Sequence, residues 1–388
     1  MSAPPGLRGM LAELIAIPSV SSVNPALDQG NRGVVDRLAE WASALGFRVD
    51  IRAVPGHPDK ANLVATLGSG SGGLVLSGHT DTVPYDADRW SSDPFTLTER
   101  DGRLYGLGTS DMKSFFALAL EAARELDPKR LKQPLVLLAT ADEESGMTGA
   151  KALVDDARPL GRHAVIGEPT GMRPVHLHKG VMMEAVRVVG RSGHSSDPSL
   201  GLNALEGMTE VLQEVLRWRS SLQERYHDDR FAIPVPTMNL GCLHAGDNPN
   251  RICAQAELQF DLRPLPGMSA EELRGELRQL LERRLSDWPG GLELRSLFPG
   301  LAPMETPADA AIVQAARELT GHEPESVAFG TEGPYLNRLG MDTVILGPGD
   351  IDQAHQPDEF LATDRIPPTV DMLKGLIRRF CVDGEGAG

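Results

Sequence analysis

The chain has 388 residues, 41% of them hydrophobic and 24% charged, and its formal net charge is −16 at pH 7. This length predicts a globular protein of two domains, and the negative charge argues against a nucleic acid or an anionic membrane as partner. No apolar run reaches the length of a membrane span. The N-terminus has no apolar leader, and the three cysteines form neither a disulfide framework nor a thiolate zinc site. These features predict a protein of the reducing cytoplasm.

The first part of the chain predicts an α/β fold. Its strand-like segments either alternate or run continuously apolar, and continuous runs suit a parallel sheet that is covered on both faces. A strong helix between two such runs indicates a crossover connection. The predicted helices are 6–17, 31–46 and 112–127, and the predicted strands are 47–54, 62–67, 74–78 and 134–140.

The middle of the chain changes character. Two long amphipathic helices alternate with four strands in the order β-α-β-β-α-β, which is the ferredoxin-like order. The α/β pattern then returns, with a helix at 307–320, a strand at 341–349 and a helix near 368–381. We therefore predict a larger α/β domain with a mainly parallel central sheet, formed by 1–179 and 299–388, and an inserted α+β domain at 180–298.

Acidic and imidazole side chains follow several of the apolar strands. In open α/β sheets, ligands bind beyond the carboxyl ends of the strands, so these side chains are expected to meet at one edge. Any one of them alone would be an ordinary turn or capping residue. Together they predict a metal site with nitrogen and oxygen ligands, suited to zinc, cobalt or manganese. The residues are His79, Asp81, Asp111, Glu143, Glu144, Glu168 and His355.

The segment SGHTDTVP at 77–84 places His79 and Asp81 two positions apart at the end of a strand. We expect one ring nitrogen of His79 to bind metal and the other to donate a hydrogen bond to the Asp81 carboxylate. In the adjacent pair Glu143 and Glu144, we expect one carboxylate to bind metal and the other to act on water. Adjacent carboxylates repel each other unless a cation or a proton intervenes.

Motifs along nearly the whole chain carry a resemblance to a known family. The sequence resembles the dizinc hydrolases that include acetylornithine deacetylase, succinyl-diaminopimelate desuccinylase, aminoacylase and the carboxypeptidase G-type enzymes. Within that family, several short stretches are similar to the acetylornithine deacetylases. The motifs are SGHTDTVP, LYGLGTSDMKS, ADEESGMTGA, GEPT, HKG, GHSSDP, NLG, NRICA, DLRPLPGM and GPGDIDQAHQPDEF.

The resemblance implies a role for each candidate residue. Two divalent ions, most simply zinc, would share Asp111; His79 and Glu168 would complete one site, and Glu144 and His355 the other. Glu143 would be the general base, with Asp81 supporting His79. On the inserted domain, which in relatives acts as a lid and dimerisation domain, His194 would stabilise the oxyanion. Asn250 and Arg263 would bind the substrate carboxylate.

The expected function is removal of acetate from N2-acetyl-L-ornithine in arginine biosynthesis, by a cytoplasmic homodimer. Other substrates of the same chemistry stay open, namely acetylcitrulline, succinyl-diaminopimelate or a dipeptide, as does a relative that binds a ligand without turnover. One departure bears on the substrate pocket, because GTEGPY stands at 330–335 where the family pattern is CTEAPF. Glu332 in this segment is a candidate contact for a cationic substrate side chain.

Overall fold

A computed structural model describes residues 3–384, and the chain divides into two compact units. The first unit contains the chain up to His176, Thr306–Glu325 and the chain from Thr331 onward. The second contains Leu177–Glu305 and Ser326–Gly330. The role of the inserted segment as a lid or dimerisation domain stays a prediction. In the described part of the chain, no helix combines the length and apolar character that crossing a membrane requires.

The helices and strands follow one another in three stretches. The first stretch contains α1 (Leu7–Ile15), α2 (Arg32–Ala44), β1 (Arg48–Val54), β2 (His57–Leu67), β3 (Leu74–His79), β4 (Thr98–Arg100), β5 (Arg103–Tyr105), α3 (Lys113–Ala123), β6 (Leu135–Thr140), α4 (Thr148–Asp156), β7 (His163–Ile166) and β8 (Val175–His178). The second contains β9 (Met182–Val189), α5 (Ala204–Arg225), β10 (Thr237–Ala245), β11 (Gln255–Arg263), α6 (Ala270–Arg284), β12 (Gly291–Ser296) and β13 (Met304–Glu305). The third contains α7 (Ala311–Thr320), β14 (Glu325–Val327), α8 (Gly333–Arg338), β15 (Asp342–Ile345), β16 (Phe360–Ala362) and α9 (Ile366–Ile377).

The main sheet of the first unit runs in the order β1-β2-β6-β3-β7-β15-β8. Its central strands β6, β3, β7 and β15 are parallel, and the outer pairs are antiparallel. Every residue of β3 and β6 is buried, as expected for strands covered on both faces. The predicted α/β fold with a mainly parallel central sheet is therefore confirmed. Because β3, β6 and β7 are parallel, their carboxyl ends lie at the same edge.

A small antiparallel sheet, β16-β5-β4, lies in the same unit. Phe360 of β16 pairs with Tyr105 of β5, which brings the loop before α3 next to the loop before β16. Both loops carry candidate site residues. Helix α3 is buried along almost its whole length and contributes Phe115 and Phe116 to the core of this unit.

The second unit is an α+β domain with its own core. Its antiparallel sheet has the order β10-β11-β9-β12, which is the ferredoxin-like arrangement predicted from the β-α-β-β-α-β order. The two helices bury apolar residues at helical spacing against this sheet. These residues are Met208, Val211, Val215, Trp218 and Leu222 of α5, and Leu273, Leu277 and Leu281 of α6.

Candidate metal centre

Three neighbouring strands deliver the candidate residues to one edge of the main sheet. His79 is the last residue of β3, the Glu143–Glu144 pair follows β6, and Glu168 follows β7. Pairing between the strands puts His79 opposite Thr140 and Ser77 opposite Ile166, so the strands end almost level. The side chains come together because adjacent parallel strands end at nearly the same level of the sheet.

Asp111 and His355 reach the same place from loops. Asp111 lies two residues before α3, and His355 lies in the loop after β15 with a positive φ of 60°. Asp111 Oδ1 is 3.0 Å from His79 Nε2, and Asp111 Oδ2 is 3.6 Å from His355 Nε2. The carboxylate of Asp111 therefore lies between the two imidazoles.

Each imidazole also has a second carboxylate neighbour. Glu168 Oε2 lies 3.8 Å from His79 Nε2, and Glu144 Oε2 lies 3.0 Å from His355 Nε2. The described residues thus form two His–carboxylate groups that share Asp111. Glu143 belongs to the same cluster, because one of its oxygens, one oxygen of Glu168 and a ring nitrogen of His79 all lie within 4.8 Å of one another.

The partner of His79 Nδ1 differs from the prediction. Nδ1 lies 3.0 Å from the backbone carbonyl oxygen of Asp81, whereas the nearest Asp81 carboxylate oxygen is 3.8 Å away. The carboxylate instead accepts a hydrogen bond from the backbone N–H of Glu144 at 3.1 Å. A carbonyl can only accept, so Nδ1 carries a proton, and in the neutral ring Nε2 is left with a lone pair. That is the tautomer in which Nε2 can bind a metal ion.

The arrangement fits divalent cations on chemical grounds. In the neutral tautomer, the Nε2 lone pair of His79 faces an oxygen of Asp111 at 3.0 Å, and two acceptors at this distance repel unless a proton or a cation lies between them. Burial and the charge of Glu168 raise the pKa of Glu143 well above its usual range, and burial and Asp111 raise that of Glu144 to about 7. Buried carboxylates held this close favour a positive charge among them.

The histidines respond to the same excess of negative charge. Burial alone would lower the pKa of His79, but the charge of Glu168 and the hydrogen bond with Asp111 raise it well above its usual range. The hydrogen bond with Glu144 raises the pKa of His355 to about 9. Divalent cations bound by these groups would supply the charge that protons supply here.

Four other predicted site residues are not among these carboxylates and imidazoles. His194, Asn250 and Arg263 belong to the second unit, where His194 and Asn250 are exposed and Arg263 pairs with Asp261 at 2.9 Å. Glu332 belongs to the first unit but is only 1% exposed, and its Oε2 accepts a hydrogen bond from Thr140. Thr140 is paired with His79 between β6 and β3, so Glu332 lies next to the metal centre, and its contact with a cationic substrate side chain stays a prediction.

Two further features around the site were not predicted. Glu359 is 1% exposed and accepts hydrogen bonds from the backbone N–H groups of the loop that carries Asp111. Asp142, next to Glu143, forms a buried ion pair with Lys60. The sequence contains one usable signal for each: an acid follows QAHQPD, and a third acid precedes Glu143 in ADEESG.

Comparison with known proteins places the chain among metallopeptidases. The model of peptidase family M20/M25/M40 matches residues 75–379. An acetylornithine deacetylase from Pectobacterium carotovorum subsp. carotovorum (strain PC1) is 49% identical over 381 residues, which cover 98% of this chain and 99% of the relative.

Solved structures of lower identity share the fold. A metallo-carboxypeptidase of the M20 family from Sulfolobus solfataricus has a TM-score of 0.76 at 19% identity, covering 97% of this chain and 99% of its own. A tripeptidase from Staphylococcus aureus has a TM-score of 0.73 at 21% identity, with 96% and 97% covered. A dinuclear metal binding peptidase of the M20 family from Bacillus subtilis has a TM-score of 0.67 at 15% identity, with 96% of each chain covered.

Proposed function

Because this chain belongs to peptidase family M20/M25/M40, we propose that it is a dinuclear metallohydrolase that removes acetate from N2-acetyl-L-ornithine. The observation that carries the chemistry is the position of Asp111, whose two oxygens face the imidazoles of His79 and His355. The choice of substrate rests on the 49% identity, over almost the full length of both chains, to an acetylornithine deacetylase.

In this proposal the carboxylate of Asp111 would be a ligand of both ions. His79 and Glu168 would complete one site, and Glu144 and His355 would complete the other. All donors are nitrogen or oxygen, which suits zinc first, with cobalt or manganese as alternatives. Asp81 supports both sites. Its backbone carbonyl orients His79 of the first site, and its carboxylate holds the backbone of Glu144 of the second.

Glu143 is the proposed general base. When bound, the two ions would polarise the acetyl carbonyl and make an attacking water more acidic. Glu143 accepts the proton of that water and passes it to the amine that leaves as ornithine, while acetate takes the hydroxyl oxygen. Without metal, burial and the charge of Glu168 raise the pKa of Glu143, and bound cations would lower it again towards the range that a general base needs.

His194 is the proposed donor to the oxyanion. The backbone N–H of Ser196 points to His194 Nδ1 at 3.2 Å, so Nδ1 is an acceptor and, in the neutral ring, Nε2 carries the proton. An N–H donor at Nε2 is what a developing oxyanion needs. Asn250 and Arg263 are proposed to bind the substrate carboxylate, as the sequence resemblance implies.

The biological setting extends the same proposal. Removal of acetate from acetylornithine supplies ornithine for arginine biosynthesis, and a biosynthetic role with three free cysteines fits the cytoplasm. We also propose a homodimer formed through the second unit. Its sheet ends in the strands β10 and β12, and Leu243 of β10 is 49% exposed. Open sheet edges of this kind are suited to pairing with a second copy.

The proposal is tested by measuring acetate and amine release after reconstitution with zinc. N2-acetyl-L-ornithine is compared with N-acetyl-L-citrulline, N-acetyl-L-methionine, N-succinyl-diaminopimelate and a dipeptide. We expect the highest kcat/KM with acetylornithine and loss of activity on adding a chelator. A higher kcat/KM with another substrate would overturn the assignment of acetylornithine as the substrate. If protein with bound metal turned over none of these compounds, the proposed enzymatic function would be overturned.

A further inference from the structure

Glu359 is a buried carboxyl group that no predicted role uses. It is 1% exposed and lies four positions after His355, directly before β16. Its Oε1 accepts hydrogen bonds from the backbone N–H groups of Ser110 and Asp111 at 2.7 and 2.9 Å. Its Oε2 accepts one from Gly108 at 3.0 Å. Three donors from one loop therefore converge on a single side chain.

The backbone around Glu359 strengthens the same connection. The N–H of Gly106 donates to the Glu359 carbonyl at 3.0 Å, and the pairing of β5 with β16 continues from this point. On the other side of the loop, the N–H of Asp350 donates to Ser110 Oγ at 3.0 Å. The Asp111 loop and the His355 loop are thus held together on both sides of His355.

The two halves of the metal centre depend on this connection to different degrees. His79 ends β3 and Glu168 follows β7, so the hydrogen bonds of the main sheet fix their positions. Asp111 and His355 lie on loops, and their 3.6 Å separation depends on how the loops are joined. If the Asp111 loop moved, the two ligands of the second site that lie on loops would lose their relative positions, whereas the first site would lose only Asp111 and would keep His79 and Glu168 in place.

We propose that Glu359 is a positioning residue, which holds Asp111 opposite His355 and so gives the second metal ion its affinity. The inference rests on the proposed dinuclear centre but not on the identity of the substrate. Residues that orient metal ligands commonly change metal affinity by about 10–100-fold when replaced. If Glu359 were only structural, its replacement would lower the stability of the fold without changing the affinity of one metal ion more than that of the other.

The test uses Glu359→Gln in the full-length protein. Glutamine keeps the size of the side chain, but its NH2 group must face either the N–H of Gly108 or those of Ser110 and Asp111. Glu184→Gln is the matched control. Glu184 is also buried, accepts hydrogen bonds from Arg274 and Ser296, and lies in the second unit. Protein stripped with a chelator is titrated with Zn²⁺ by calorimetry, and thermal unfolding of the metal-free form is recorded.

We expect the wild type and Glu184→Gln to bind two equivalents of zinc with the same affinities. Glu359→Gln should bind the second equivalent about 10–100-fold more weakly and the first with a smaller loss, because Asp111 is shared but the main sheet still holds His79 and Glu168. Unchanged binding of both, equal weakening of both, or fewer than two equivalents on the wild type would each overturn the inference. Wild-type protein that binds two zinc ions but leaves acetylornithine intact would overturn the proposed function and leave this inference standing.

Discussion

Glu143 is the residue whose substitution best separates catalysis from metal binding. It lies beside Glu168 and His79 but is not one of the five proposed ligands. We expect Glu143→Ala to retain both metal ions and to lose about 10²–10⁴-fold in kcat, which is the contribution of a positioned acid or base. Steady-state kinetics combined with metal analysis of the same sample measures both quantities. Wild-type kcat in the variant would exclude Glu143 as the base.

His163 makes the free energy of unfolding depend on pH, although no catalytic role is proposed for it. It begins β7, is 2% exposed, and neither ring nitrogen has a hydrogen-bond partner among residues 3–384. Its ring centroid lies 4.4 Å from that of Phe380. Burial lowers the pKa of His163 to about 4; Asp342 acts to raise it and Arg162 to lower it. The folded protein therefore keeps a neutral ring at a pH where the unfolded chain is already protonated.

Lowering the pH should destabilise the folded protein. The unfolded chain takes up the His163 proton near pH 6.5 and the folded protein only near pH 4, so the free energy of unfolding falls by up to about 3 kcal/mol as the pH drops between these values. We expect His163→Leu to have a higher free energy of unfolding than wild type at pH 5, and a smaller gain at pH 7.5. Urea unfolding at the two pH values measures both. His244→Leu, at an exposed position, is the control. A wild-type pH slope in His163→Leu would contradict the argument.

At the scale of elements, the turn between β6 and α4 is held by a buried polar cluster. Asp142 Oδ1 accepts hydrogen bonds from Ser21 at 2.7 Å and Lys60 at 2.5 Å, and Oδ2 accepts one from Thr148 at 2.7 Å. Lys60 also binds Asp28 at 2.8 Å. The cluster joins the turn that carries the two glutamates to β2 and to the segment after α1.

Loss of the lysine should destabilise this turn strongly. The side chains of Lys60 and Asp142 are 7% and 5% exposed, so Lys60→Met leaves a buried charge unpaired at a cost of about 3–5 kcal/mol. Arg32→Met is the matched control, because its pair with Asp36 is half exposed and contributes about 0–1 kcal/mol. Urea unfolding measures both. Equal losses in the two variants would show that the buried pair adds nothing beyond a surface pair.

The same elements show what the sequence could and could not predict. Periodicity predicted α5 and α6, and strand ends predicted the residues of the metal centre, because both depend on local spacing. Helix α4 was not predicted, because the residues at its two ends, Met147 and Ala157, adopt positive φ values of 52° and 51°. Glycine is the usual residue at such positions, so these residue types do not indicate where the helix begins and ends. Glu359 was missed because its partners are backbone N–H groups about 250 positions away, which leave no side-chain pattern.

At the scale of the whole molecule, the described part of the chain forms two separate cores. The first is built on the main sheet and includes Trp41, and the second is built on the ferredoxin-like sheet and includes Trp218. All five proposed metal ligands belong to the first unit. Metal binding would therefore directly stabilise the unit that holds the ligands, by about 2.7 kcal/mol for each ion when free metal exceeds its dissociation constant a hundredfold.

The four tryptophans allow the two units to be followed separately. Replacing Trp218 and Trp288 by phenylalanine leaves the reporters Trp41 and Trp90 in the first unit, and the reciprocal double variant leaves only those of the second. We expect a chelator to lower the fluorescence-detected Tm in the first variant and not in the second, because the ligands lie in the first unit and each unit has its own core. Equal shifts in both variants would mean that the units unfold as one cooperative block, so that metal bound in one stabilises the other.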